Sequence, residues 1–120
     1  RAVVGIDGDN HGCGGVMRRV PERSLLRIRA RLLDPDDVPT VPNTLRYRLD
    51  CQTTGTTLID WTDVSPVSLL EVTVPADTNR IINVRNKVER KVFTVDANTG
   101  TADAYTCEEL YEVKNLTAVQ

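Results

Sequence analysis

Leu26-Arg27-Ile28-Arg29-Ala30-Arg31-Leu32 alternates apolar and cationic side chains at every step. A period of two marks a strand with one buried face, because successive side chains of an extended chain point to opposite sides. Asp34-Pro35-Asp36-Asp37 follows and predicts a turn, since Pro has no N–H to give a ladder and Asp favours turn conformations. The alternation returns in Leu45-Arg46-Tyr47-Arg48-Leu49-Asp50-Cys51, so a second half-buried strand is expected, with Leu45, Tyr47, Leu49 and Cys51 facing inward.

Working outward, Thr53-Thr54-Gly55 breaks the pattern and Leu58-Ile59-Asp60-Trp61 predicts a short third strand, whose Trp61 is the expected large core anchor. Full burial of that ring would make Trp61→Ala cost about 3–5 kcal/mol. Leu70, Val72 and Val74 share one face of a fourth strand that Pro75 stops, and Lys91–Ala97 and Leu110–Leu116 predict two more. Residues 77–87 fit neither period cleanly and are expected to form an irregular crossover. The predicted core is Leu26, Ile28, Leu45, Tyr47, Leu49, Trp61, Leu70, Val72, Val74, Phe93, Val95 and Val113. Short strands separated by Pro, Gly and Asp clusters indicate an all-β, antiparallel sandwich, with a small barrel as the alternative.

Before this pattern the chain reads differently. Gly8, Gly12, Gly14 and Gly15 fall within eight residues, and such a run loses too much backbone entropy to hold a regular element. Residues 1–23 are therefore expected to be an extended N-terminal arm, and residues 24–120 the folded body.

Composition agrees with one β-rich domain. The 120 residues are 40% hydrophobic with a net charge of −2, and Val 16, Thr 14 and Ile 5 far outnumber seven Ala. No window approaches the ~18 apolar residues of a membrane span, and no secretory leader is read at the start, so a cytosolic origin is expected. Cys13, Cys51 and Cys107 lack CxxC spacing, which argues against a zinc knuckle; a Cys51–Cys107 bridge between strands stays open.

Asp7-Gly8-Asp9-Asn10-His11-Gly12-Cys13 gathers carboxylates, imidazole and thiol, yet fails as an EF-hand loop because its twelfth position would be Arg18. His11 is the only histidine, so any nucleophile–His arrangement must pass through the glycine-rich segment, a poor support for catalysis. No phosphate-binding glycine motif follows a strand. The expectation is no enzyme activity, no catalytic residue, no metal and no cofactor.

Charge is instead segregated. Arg18, Arg19, Arg23, Arg27, Arg29 and Arg31 lie together with one acid, Glu22, whereas Asp96, Asp103, Glu108, Glu109 and Glu112 form a stretch without a base. Arg suits fixed bidentate contacts to carboxylates. These six arginines are the predicted partner-binding residues, meeting an acidic surface on a neighbouring chain. Nucleic acid is disfavoured, because few aromatic residues are available for stacking and the whole chain is acidic.

Arg31-Leu32-Leu33-Asp34-Pro35 leading to Leu45–Cys51, then Leu58-Ile59-Asp60-Trp61-Thr62, Val72-Thr73-Val74-Pro75-Ala76, Thr94-Val95-Asp96-Ala97 and Tyr111–Leu116 carry a resemblance. Residues 24–116 resemble small immunoglobulin- or fibronectin-III-like proteins of tailed-bacteriophage virions. The resemblance implies an immunoglobulin-like sandwich that is a non-enzymatic virion component: capsid cement or decoration, or part of the head–tail or tail assembly. It implies other virion proteins and further copies of the chain as partners, assembly in the host cytoplasm, and no membrane. Residues 1–23 would be the attachment device, so that deleting them would spare thermal stability and abolish assembly. The alternative is a host-surface or carbohydrate-binding β-sandwich module, which would bind a glycan as a monomer through its loops.

Overall fold

The computed structural model of the chain describes residues 1–6, 11–12 and 18–116, with the side chains of 11, 12 and 18 left out of the description. Among these residues there are nine strands and no helix: β1 (Ala2–Ile6), β2 (His11–Gly12), β3 (Arg18–Pro21), β4 (Leu26–Leu32), β5 (Leu45–Cys51), β6 (Thr56–Val64), β7 (Leu69–Val74), β8 (Val88–Ala97) and β9 (Tyr105–Lys114). They form two sheets, one of order β2-β1-β4-β7 and one of order β3-β9-β8-β5-β6.

The period-two segments become central strands. In β4 the apolar row is buried and the arginine row exposed without exception, and β4 sits between β1 and β7, antiparallel to both. β5 lies between β6 and β8 in the second sheet. The inward faces of both sheets meet in one core, which includes Leu26, Ile28, Leu45, Leu49, Leu70, Val72, Val74, Phe93, Val95 and Val113, with Tyr47 packed against it. Tyr47 stacks on Phe93 with ring centroids 5.7 Å apart.

Three expectations need correction. Ala2–Ile6 is not part of an arm: it pairs with β4 from Ala2↔Leu32 to Ile6↔Ile28, and Ala2, Val4 and Ile6 are buried. Its apolar side chains gain far more from the core than from solvent, which outweighs the glycine-rich segment behind it. Residues 7–10 and 13–17, which hold Gly8, Gly14 and Gly15, lie outside the described residues, while Gly12 ends β2 and pairs with Val3. Arg18–Pro21 likewise belongs to the body, where Val20 is buried and β3 runs parallel to β9. The second sheet is therefore mixed rather than purely antiparallel, because β3 enters it from the first sheet as an added edge strand running in the sense of β9.

Trp61 is the third correction. It lies on the outer face of edge strand β6 and is 36% exposed, while Tyr111, fully buried, is the largest side chain of the interior. The crossover at 75–87 is irregular, made of turns and bends.

Candidate functional site

The six predicted partner-binding arginines do not form one surface. Arg27, Arg29 and Arg31 project from the outer face of the first sheet, where alternate residues of a strand stand about 6.6–6.8 Å apart. Beside them β7 presents Leu69, Glu71 and Thr73, in register with Arg31, Arg29 and Arg27 respectively. Glu71 meets Arg29 at 3.6 Å, and both side chains are at least half exposed, so the pair holds them only weakly. Arg19 belongs to the second sheet, where its Nε and Nη2 donate to Glu112 Oε1 at 3.2 and 3.0 Å. Arg23 is exposed in a turn with φ of 60°. The Arg18 side chain lies outside the described residues.

The acidic stretch is dispersed too. Asp96 accepts hydrogen bonds from Thr99 Oγ1 at 2.8 Å, Arg46 Nε at 3.0 Å and Thr106 Oγ1 at 3.1 Å. Burial by itself would raise its pKa, but these donors outweigh burial and hold the carboxyl below the usual range. Glu109 points inward and is buried. Glu112 is taken by Arg19 and lies 3.9 Å from Arg90. Only Asp103 and Glu108 are open to solvent. An acidic face built by Asp96–Glu112 for a neighbour's arginines is therefore absent: alternation along β8 and β9 sends these acids to different sides, and most are satisfied within the chain.

Part of the outer face of the second sheet is cross-linked by polar side chains. Arg48 grips Asp50 through Nε and Nη2, both at 2.8 Å, and this bond, with a further donation from Thr57, holds the Asp50 pKa low against burial. Arg46 lies over the Trp61 ring at 3.9 Å from its centroid and Arg48 at 5.3 Å, so cations already cover the indole.

Sequence reasoning missed a charge cluster in the interior. Glu89 and Lys91 are both fully buried, with Lys91 Nζ 3.2 Å from Glu89 Oε1. The Glu89 carboxylate accepts from the Ile82 N–H at 2.6 Å, the Asn83 N–H at 2.8 Å and Asn86 Nδ2 at 3.0 Å. Lys91 also donates to the Arg80 carbonyl at 3.1 Å. Burial pushes the Glu89 pKa up, yet the four donors outweigh it and the carboxyl ends below its ordinary value. The signal was parity: positions 89 and 91 share a side with Phe93 and Val95, so both charges had to face inward. Nearby, Tyr111 donates to Asn79 Oδ1 at 2.6 Å, and Asn79 Nδ2 donates to the Ser24 carbonyl at 2.9 Å. Burial pushes the Tyr111 phenol far above its ordinary pKa. Chemically, Glu89, Lys91, Asn79 and Tyr111 clamp the crossover onto the sheets, since each is buried and hydrogen-bonded.

Cys51 is a free, buried thiol, whereas Cys107 is disulfide-bonded, so the Cys51–Cys107 bridge does not form. Among the described residues no group of three His, Cys, Asp or Glu side chains is placed to hold a metal ion.

Two grooves lie at opposite ends. Strands β8 and β9, each ten residues long, run between them, a separation of about 30 Å. One groove, about 390 Å³, lies between the 33–43 loop and the β8–β9 turn and is lined by Leu33, Asp34, Val41, Pro42, Asp103 and Tyr105 among others. The other, about 370 Å³, lies between the 22–23 turn, the crossover and Leu116. No helix among the described residues is long and apolar enough to cross a membrane. Comparison with protein-family models, with curated proteins and with solved structures finds no match for this chain.

Proposed function

We propose that the chain is a non-enzymatic structural component of a tailed-bacteriophage virion, an immunoglobulin-like sandwich that occupies a fixed place among other capsid, neck or tail chains after assembly in the host cytoplasm. The observation that carries this reading is the Arg27, Arg29 and Arg31 row: three guanidinium groups on an exposed sheet face whose described outward residues include one carboxylate, Glu71. A row of this kind suits carboxylates on another virion protein. It suits single-stranded nucleic acid poorly, because its neighbours Leu69, Glu71 and Thr73 offer no ring for base stacking. Attachment is assigned to this face and not to residues 1–23, whose strands β1 and β3 are committed to the body.

The glycan-binding alternative is less well supported, because arginines already cover Trp61, which would be the natural sugar platform. The test is co-sedimentation with particles from an infected-cell lysate. The wild-type chain is expected to pellet with particles at fixed stoichiometry. An Arg29→Glu/Arg31→Glu variant should melt like the wild type yet stay in the supernatant. A wild-type chain that never pellets with particles but binds a glycan array as a monomer overturns the proposal.

A further inference from the structure

Among the described loop residues, the two ends differ in the sign of their charge. Of these residues, the end formed by the 33–43 loop and the β8–β9 turn holds Asp34, Asp36, Asp37 and Asp103 against Arg1, which pairs with Asp37 at 2.7 Å. The crossover end holds Arg23, Arg80, Arg85 and Lys87 against Glu22 and Asp77. Asp7 and Asp9 lie outside the described residues.

Each end also exposes apolar side chains. At the crossover end Val84 is 79% exposed, the most exposed large hydrophobic residue described, and Leu116 joins it. Val84 does not sit on a loose loop. Asn115 Nδ2 donates to the carbonyls of Val84 at 3.1 Å and Asn86 at 2.9 Å. Asn83 Oδ1 accepts from the Arg85 N–H at 3.0 Å, and Glu89 holds the N–H groups of Ile82 and Asn83 from below. A buried ion pair thus fixes an aliphatic knob in water, next in the chain to Arg85 and sharing its groove with Arg80. Preorganisation of this kind lowers the entropic cost of binding. At the acidic end Val41, 60% exposed, and Pro42 line a groove flanked by Asp34 and Asp103.

We propose that copies of this chain associate head to tail, the Val84 knob of one seating in the Val41–Pro42 groove of the next, with Arg80 and Arg85 facing Asp34 and Asp103. Knob and groove are different surfaces at opposite ends, so the contact is heterologous and propagates into a chain or closes into a ring. The contact is one aliphatic knob in a groove of about 390 Å³, which places it among small, weak interfaces. It is strengthened by low salt and by high local concentration. The proposal rests on reading the chain as an assembly component, but its test uses the isolated chain and leaves the sheet face with Arg29 and Arg31 untouched.

The test is sedimentation velocity of the full chain at low salt, up to about 1 mM, a concentration at which contacts worth roughly 4 kcal/mol are half-formed. The average mass is expected to climb past the dimer with concentration and to fall when salt is raised. A knob variant, Val84→Asn/Arg85→Asn, and a groove variant, Val41→Lys/Asp103→Lys, should each stay monomeric with wild-type melting curves. Mixed together, they retain one intact groove and one intact knob, and should form one-to-one dimers and nothing larger. Wild-type protein that stays monomeric throughout, or stops at dimers, or variants whose mixture stays monomeric, overturns the proposal.

Discussion

Glu89 and Lys91 show how two side chains with the highest desolvation cost can be stable in an interior. Each is fully buried, and each carries hydrogen bonds beyond the ion pair: three further donors to the carboxylate, and a carbonyl for the ammonium. A buried pair of this kind adds little net stability, but removing one partner leaves an uncompensated charge. Lys91→Met is therefore expected to cost about 3–5 kcal/mol in urea unfolding, and the double variant Glu89→Gln/Lys91→Met distinctly less than the two single costs together. The pH dependence follows from direction. The folded pKa of Glu89 lies below its unfolded value, so its contribution is complete above about pH 4.3 and is lost as the pH falls through the lower folded value. Glu89→Gln should flatten the stability profile below about pH 4.3, measured as urea midpoints across the acid range. Cys51 shares this interior, its Sγ 3.8 Å from Glu89 Oε1. A thiol reagent should leave Cys51 unmodified in the native protein and react with it on unfolding, whereas the Cys107 thiol should appear only after reduction.

At the scale of strands, inward parity separates Phe93 from Trp61, two of the three aromatic residues that the sequence placed together in the core. Phe93 is 1% exposed at the centre of β8, with Tyr47 stacked on it, so Phe93→Ala should cost about 3–5 kcal/mol in equilibrium unfolding. Trp61 lies on the outer face of an edge strand beneath two arginines, and Trp61→Ala should cost only about 1 kcal/mol, the scale of a partly solvated cation–π contact. The strands that were legible are those with unbroken alternation. β4 matches its reading residue for residue, and β7 nearly does. The last strand was legible only in its second half: β9 begins at Tyr105, five residues before Leu110, because acids at 108, 109 and 112 conceal its apolar row of Cys107, Tyr111 and Val113. β6 breaks register near Ile59, and that irregularity removes the simple parity that would have placed Trp61 outside. The arginine row on β4 was legible for the same reason as the strand itself. The groove lined by Val41 and Asp103 was not, because it joins residues more than fifty positions apart through a loop whose own sequence announces only a turn.

Across the whole molecule, the first twenty-three residues decide whether either sheet is complete. β1 covers one side of β4 over five register pairs, and β3 covers the outer side of β9 over four. Glycine density hid both, because an entropy argument applies to the segment that holds the glycines and says nothing about the apolar Ala2–Ile6 in front of it. The β3–β9 pairing also joins residues more than ninety positions apart, so the second sheet cannot be finished until the chain ends meet, and refolding is expected in the slow, millisecond-to-second range of non-local β topologies. Deleting residues 1–23 removes three buried core side chains of β1 and Val20, and bares the edges of β4 and β9. Had those residues been an arm, the truncated chain would melt like the full one. With both sheets opened, it should instead lose its cooperative thermal transition by circular dichroism and aggregate through the exposed edges. A truncated chain that melts cooperatively near the wild-type temperature would mean that β4 and β9 are sufficiently covered without β1 and β3, and that residues 1–23 are an appendage after all.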